Sequence, residues 1–236
     1  MGRPPRTVDF FRCWTPVMAY VLGYWWADGY MRHRQDTGAH LIEFASNDRE
    51  HLEQIACVVG KAPSLRKISG SLNCYEIEFC SKEMYTDLLA LGGMPNKSNV
   101  IGFPSIPAAL LAHFVRGFVD GDGTLAWNGD RPILQIYSGS KQLLEKMAEA
   151  IAAQTDIPAP NVVPNRKLWY LKWSTIRAKC LAAWLYVEHP GLALDRKAAI
   201  AADFLAWQPR KRPHTGTITE GMRARFAAYL PPQELV

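Results

Sequence analysis

The nine residues Val21 to Gly29, VLGYWWADG, recur in altered form at Val115 to Gly123, VRGFVDGDG. Each is an apolar, helix-like run with Gly at its third position, closing on an Asp-Gly where a helix would stop. Residues four apart share a helix face, so Ala19, Gly23 and Ala27 form a small-residue stripe, and His113, Gly117 and Gly121 a partly small one. If the stripes face each other, the backbones approach closely and Asp28 and Asp122 converge. Two such carboxylates repel, and the negative helix C-termini add to the repulsion. A bound divalent cation removes that cost, which makes a paired acidic site for phosphodiester chemistry the natural expectation.

The duplication extends outward from these segments. After the first come strand-like HLIEFAS (His40 to Ser46) and helix-like DREHLEQIACVVG, with Asp48 suited to cap it. After the second come PILQIYSGS (Pro132 to Ser140) and SKQLLEKMAEAIAAQ, with Ser140 as cap. Each half then continues with two more strand candidates and a helix. NCYEIEF alternates, placing Tyr75, Ile77 and Phe79 on one face and Cys74, Glu76 and Glu78 on the other. The expected fold is α+β, two pseudo-symmetric αββαββα halves, each with a four-stranded antiparallel sheet and with the repeated helices packed at the centre. The prolines of GFPSIP (Gly102 to Pro107) mark the joint. This gives an N-terminal extension at 1–12, repeats at 13–104 and 105–207, and a basic extension at 208–236, where Thr217 and Glu220 are spaced like a capping box.

The chain's 236 residues carry a formal charge of +5 on a strongly apolar and aromatic body, which fits a globular protein with a polyanionic partner. Cys13, Cys57, Cys74, Cys80 and Cys180 form no C-x-x-C pair and are odd in number, so they are expected to be reduced, mostly buried thiols. The start lacks a secretory core, and no apolar run could span a bilayer, so a soluble, intracellular protein is expected. A calcium loop beginning at Asp120 is excluded, because its twelfth position is Arg131 and not the required Glu.

The paired segments resemble the signature motifs of the LAGLIDADG homing endonucleases, aligning with all nine letters without gaps. The flanking YEIEFCSKEMYTDLL, FPSIP, RGFVDGDGTL and LALDRK are similar to two-motif members, and the resemblance covers roughly residues 13 to 207. It implies a monomeric endonuclease whose sheets form a saddle on a long asymmetric DNA duplex, cutting both strands across the minor groove to leave short 3′ overhangs. It also implies that Asp28 and Asp122 bind magnesium, with the carbonyls of Ala27 and Gly121 as further ligands. Mn2+ and Ca2+ are alternative occupants, Ca2+ without turnover. By the same resemblance Lys97 and Lys197 assist catalysis, while Ser46 and Ser138 support a water network. At the sixth motif position the copies differ, Trp26 against Asp120, so the halves are inequivalent. Related readings are an inactive DNA-binding regulator and an RNA-splicing maturase. A free-standing enzyme is expected over an intein-embedded one.

A strand period of two puts Arg32 and Arg34 on one sheet face, where guanidinium groups can read guanine edges or hold phosphate. The same period nominates Lys67, Glu76, Asn128, Gln135, Arg166 and Lys172 for DNA contact. The basic RKRPH (Arg210 to His214) is either a phosphate-gripping extension or a tail.

Overall fold

The structure is a computed structural model describing residues 9–60, 65–68, 73–209 and 218–230. Helix α1 (Pro16–Asp28) starts with Pro16 in its first turn and with the Thr15 hydroxyl accepting from the Met18 amide at 3.1 Å. Strands β1 (Gly29–His33) and β2 (His40–Ser46), helix α2 (Arg49–Val58), strands β3 (Arg66–Lys67) and β4 (Tyr75–Cys80), and helix α3 (Lys82–Ala90) complete the first half. Helix α4 (Leu111–Asp122), strands β5 (Gly123–Asn128) and β6 (Arg131–Ser138), helix α5 (Lys141–Thr155), strands β7 (Val163–Asn165) and β8 (Leu168–Ser174), and helix α6 (Ile176–Tyr186) repeat that order. Helices α7 (Asp195–Ala206) and α8 (Glu220–Arg225) follow. The sheets run β1-β2-β4-β3 and β5-β6-β8-β7, every pairing antiparallel. The two-half α+β architecture expected from the repeat is the one observed.

Helices α1 and α4 make the most extensive contact between any two described elements. Each is buried along nearly its whole length, Met18 to Trp26 in one and Leu111 to Asp120 in the other, which is why α1 is apolar on almost every side, whereas α4 carries the buried His113, Arg116 and Asp120 along one side. A Cβ on Gly23 would fall 1.9 Å from the Phe114 carbonyl oxygen, and one on Gly117 would fall 2.0 Å from that of Tyr20. Each glycine therefore lets the opposite backbone into the space of a side chain, and the contact repeats across the pseudo-two-fold axis. Both helices end at the motif aspartate and pass directly into a strand, with Gly29 and Gly123 in extended conformation.

In each sheet one face is covered by helices, and the alternation of the strands follows it. Met31, Ile42, Phe44 and Ile77 are buried in the first, and Leu125, Leu134, Ile136, Leu171 and Trp173 in the second. The opposite face of both sheets is open. The expected alternation in β4 holds, with Ile77 and Phe79 buried and Glu76 and Glu78 less so.

Local details depart from expectation in three places. Asp48 occupies the N-cap position of α2, but its carboxylate makes no cap bond and instead pairs with Arg196 of the other half. Helix α8 is capped by Thr219, whose hydroxyl accepts from the Met222 amide at 3.1 Å; Thr217 and Arg210 to His214 lie outside the described residues. All five cysteines are free as expected, yet only Cys180 is buried, because Cys57 lies on the outer side of α2 and Cys80 on the open sheet face. No described helix is long and apolar enough to cross a membrane.

Candidate active site at the paired helix ends

The helix ends meet at the centre of the molecule. The place a Cβ would take on Gly121 is 2.5 Å from the Ala27 Cβ and 3.2 Å from Asp28 Oδ2, so the seventh residue of the second motif lies directly against the carboxylate of the first. Hollows of about 340 Å³ and about 270 Å³ open on either side. Asp28, Ser46, Asp48, Gly121 and Arg196 line the first; Ala27, Asp28, Lys97, Asp122 and Ser138 line the second. Each thus combines a strand-end serine of one half with the seventh motif residue of the other. The symmetry is imperfect, since Asp28 borders both hollows and Asp122 only the second.

Desolvation among the surrounding protein atoms, reinforced by the charge of Asp122, raises the pKa of Asp28 to about 6. Desolvation likewise raises that of Asp122, against the pull of Lys97 and Lys197. The two lysines show the reverse effect. Burial lowers both to about 8, opposed by the aspartates.

Lys97 stands in a short 3₁₀ turn, Lys97–Asn99, and Lys197 in the first turn of α7. Lys97 Nζ donates to the carbonyls of Trp26 at 2.8 Å and Ala27 at 2.9 Å and lies 5.3 Å from the centre of the Trp25 ring. Lys197 Nζ donates to those of Val119 at 2.6 Å, Asp120 at 2.8 Å and Gly123 at 2.8 Å. Both ammonium groups neutralise the negative end of a motif helix, where most carbonyls lack intrahelical donors; that of Val119 also accepts from the Gly123 N–H. They do so unequally, because Lys197 has all three N–H groups engaged and Lys97 only two among the described residues. The Ala27 carbonyl is therefore already shared with Lys97, whereas the Gly121 carbonyl receives no lysine N–H.

Ser46 and Ser138 form matching turns, each hydroxyl accepting from the amide two residues on, Asp48 and Ser140, at 3.1 Å. They hold the strand ends beside the hollows, and Ser140 in turn caps α5 by accepting from Leu143 N at 3.3 Å.

The inequivalent sixth positions have separate tasks that the sequence reading missed. Buried Asp120 accepts from the Tyr20 hydroxyl at 2.7 Å, the Tyr186 hydroxyl at 2.7 Å and the Leu194 amide at 2.8 Å. It thereby ties α4 to the turn that leads into Lys197. Trp26 instead donates its indole N–H to the Gly102 carbonyl at 3.0 Å and anchors the joint between halves. His51 Nε2 lies 2.9 Å from the Tyr20 oxygen, and burial lowers its pKa to about 4, so it stays neutral. Arg116, one helical turn before Asp120, donates to the carbonyls of Leu185, His189 and Leu192 and organises the same loop. An Arg and an Asp four apart on one side of a helix rich in apolar residues was the available signal.

The expected DNA-contact residues distribute over the open faces as follows. Arg32 points outward from β1 and pairs with Glu43 at 2.8 Å and Glu78 at 3.6 Å, while Arg34 lies one residue past the strand and is exposed. Asn128, Gln135 and Lys172 share the open face of the second sheet, Gln135 standing opposite Lys172. Arg166 occupies the turn between β7 and β8 with a positive φ of 56°. Glu76 is on the open face but held by Arg66 at 2.7 Å. Lys67 requires correction: it stands opposite Tyr75, and Arg66, opposite Glu76, takes its place on the open face. In a two-residue strand the facing is set by register with β4, which the period of two cannot supply.

Residues 15–89 match the LAGLIDADG-like domain family, and most of the chain shares the fold of the two-motif LAGLIDADG homing endonucleases. Among solved structures it is similar to the I-LtrWI LAGLIDADG homing endonuclease bound to target DNA. The TM-score is 0.54 at 11% identity, over 84% of this chain and 90% of that one. It is likewise similar to I-DmoI in complex with DNA and Ca, with a TM-score of 0.54 at 14% identity over 78% and 96% of the chains. Full-length DUF199/WhiA from Thermatoga maritima shares the fold too, with a TM-score of 0.53 at 14% identity over 89% and 68%. No curated protein sequence matches the chain.

Proposed function

We propose that this protein is a site-specific double-strand DNA endonuclease of homing type, acting as a monomer with magnesium on a long asymmetric duplex. The observation that carries this reading is the convergence of Asp28 and Asp122 at glycine-packed helix ends, each beside a buried lysine. The donors suit a hard divalent cation. Two carboxylates with raised pKa values and neighbouring backbone oxygens are the ligand type that Mg2+ takes. Asp28, Asp122 and the carbonyls of Gly121 and Ala27 would hold it.

When bound, the cation supplies positive charge to the phosphate in the transition state and lowers the pKa of the attacking water. The protein's own groups do the positioning. Lys97 retains one N–H beside the second hollow for a phosphate oxygen, while Lys197 serves through the carbonyls it holds, and the serine turns shape the walls. The two open sheet faces lie to either side as the duplex-binding saddle.

Asp28→Asn and Asp122→Asn should each abolish double-strand cleavage of a selected target while binding changes less than about threefold. Undiminished cleavage by either variant would remove the assignment. A wild-type protein that binds a duplex without cutting it, in magnesium or manganese, would indicate a regulator of the same fold, and preferential retention of intron RNA a maturase.

A further inference from the structure

Among the residues that line them, the two hollows at the helix ends have one basic side chain each, Arg196 in the first and Lys97 in the second. These are not equivalent positions of the repeat. Lys97 matches Lys197, which lines neither hollow and has its three N–H groups on the carbonyls of Val119, Asp120 and Gly123. Arg196 matches Asn96. The second half thus divides between two neighbouring side chains what Lys97 combines in one: Lys197 holds a helix end, and Arg196 brings a cation to the hollow.

Arg196 lies in the first turn of α7, and Asp48 of the other half fixes it. Nε donates to Asp48 Oδ1 at 3.1 Å and Nη2 to Oδ2 at 2.9 Å, so two parallel bonds orient the guanidinium plane. Nη1 has no partner among the described residues. A guanidinium engaged on one edge keeps its other N–H groups in fixed directions, which suits an incoming phosphate oxygen.

Asp48 makes this pair without capping α2. As a clasp between the halves the pair is poorly placed, since the arginine side chain is 57% exposed and ion pairs so open to water contribute little to stability. The Asp48 carboxylate also lines the first hollow beside Asp28, where it would repel a phosphate unless a cation covered it.

We propose that Arg196 binds the scissile phosphate that enters the first hollow, as the free N–H of Lys97 does in the second, and that Asp48 is the positioning residue that aims it. This rests on the endonuclease reading, and deepens it by giving the two cut strands different phosphate-binding residues.

The test is single-turnover cleavage, in magnesium and at saturating protein, of a duplex selected from a randomised pool by the full chain and labelled differently on its two strands. Arg196→Ala should slow one strand by about tenfold or more beyond the other, so that nicked duplex accumulates. Asp48→Asn should slow the same strand by less, because the guanidinium remains, and Lys97→Met should slow the opposite one. In metal-free binding of the same duplex, Arg196→Ala should reduce the slope of log affinity against log salt by about 0.9, the value of one phosphate contact. Equal slowing of both strands, or an unchanged salt slope, would overturn the inference while leaving the endonuclease reading intact. A wild type that cuts neither strand would overturn both. Should Arg196→Ala fail to fold, Arg196→Lys decides the matter: it should show the same strand bias at reduced size, and its absence would count against the inference.

Discussion

The backbone of Gly117 lies so close to Tyr20 that an added methyl group would stand 2.0 Å from the Tyr20 carbonyl oxygen, and Gly23 repeats the relation with Phe114 at 1.9 Å. Both obstructions are backbone atoms, which cannot rotate away as a side chain can. The spacing of the two motif helices, and so the meeting of Asp28 with Asp122, depends on these two positions.

Gly23→Ala and Gly117→Ala should therefore each destabilise the fold by about 3 kcal/mol or more, at the upper end of overpacking costs. Urea denaturation measures this directly. A loss below ~0.5 kcal/mol would mean that the helices are not packed through these glycines.

The acidic centre should make stability depend on pH in a defined sense. Asp28 has a folded pKa of about 6 against an ordinary 3.8, so between those values the metal-free fold binds more protons than the unfolded chain. Its contribution must then decline as pH rises through that window. Thermal melts of wild type and Asp28→Asn without metal should show the wild type losing ground to the variant from pH 4 to 6. Magnesium should stabilise the wild type more at pH 7.5 than at pH 5, because protons compete for the same oxygens. A pH-independent difference would argue against the site.

Cleavage should fall above about pH 8 as Lys97 and Lys197 lose their protons, and this limb should move no higher as magnesium is raised, because a cation on the aspartates cancels the charge that holds those protons. The acidic limb, by contrast, should move to lower pH as magnesium is raised. Rates measured at two magnesium concentrations across pH 5 to 10 separate the limbs. A basic limb that moves to higher pH with metal would assign it to another group.

The lysines should also differ on replacement. Lys197→Met removes three hydrogen bonds to carbonyls and Lys97→Met two, so the first should cost more stability, each lost charge-assisted bond contributing about 1–3 kcal/mol. Equal losses in paired urea titrations would contradict the unequal bonding.

Asp120→Ala should leave the Tyr186 hydroxyl and the Leu194 amide without an acceptor and the Tyr20 hydroxyl with only His51 Nε2 in reach, at a cost of ~3 kcal/mol or more. Tyr20→Phe removes one donor and should cost less, about 1 kcal/mol. The same denaturation experiment checks both, and the order of the two losses is the informative outcome.

Much of this was legible in the chain itself. The duplicated motif, the order of helices and strands, the inward face of β4 and the placing of Asp28 and Asp122 at helix ends all rest on periods of 3.6 and 2 and on covalent neighbours. Such signals survive in one dimension. Their repetition also marked the two halves, since matching segments fold alike wherever they occur.

Only the folded chain decided which distant groups meet. The carbonyls held by Lys97 and Lys197 lie 70 or more residues away, and the pairing of Asp48 with Arg196 spans 148 positions. Asp120 likewise finds Tyr20 and Tyr186 across the helix pair, 100 and 66 residues off. The exchange of Lys67 for Arg66 on the open face came from the register of a two-residue strand, and the exposure of Cys57 and Cys80 from the outward sides of their elements. Hydrogen bonds and burial depend on which surfaces come within a few ångströms of each other. Periodicity shows that an element has a buried side, and the packing of the two halves alone determines what that side touches.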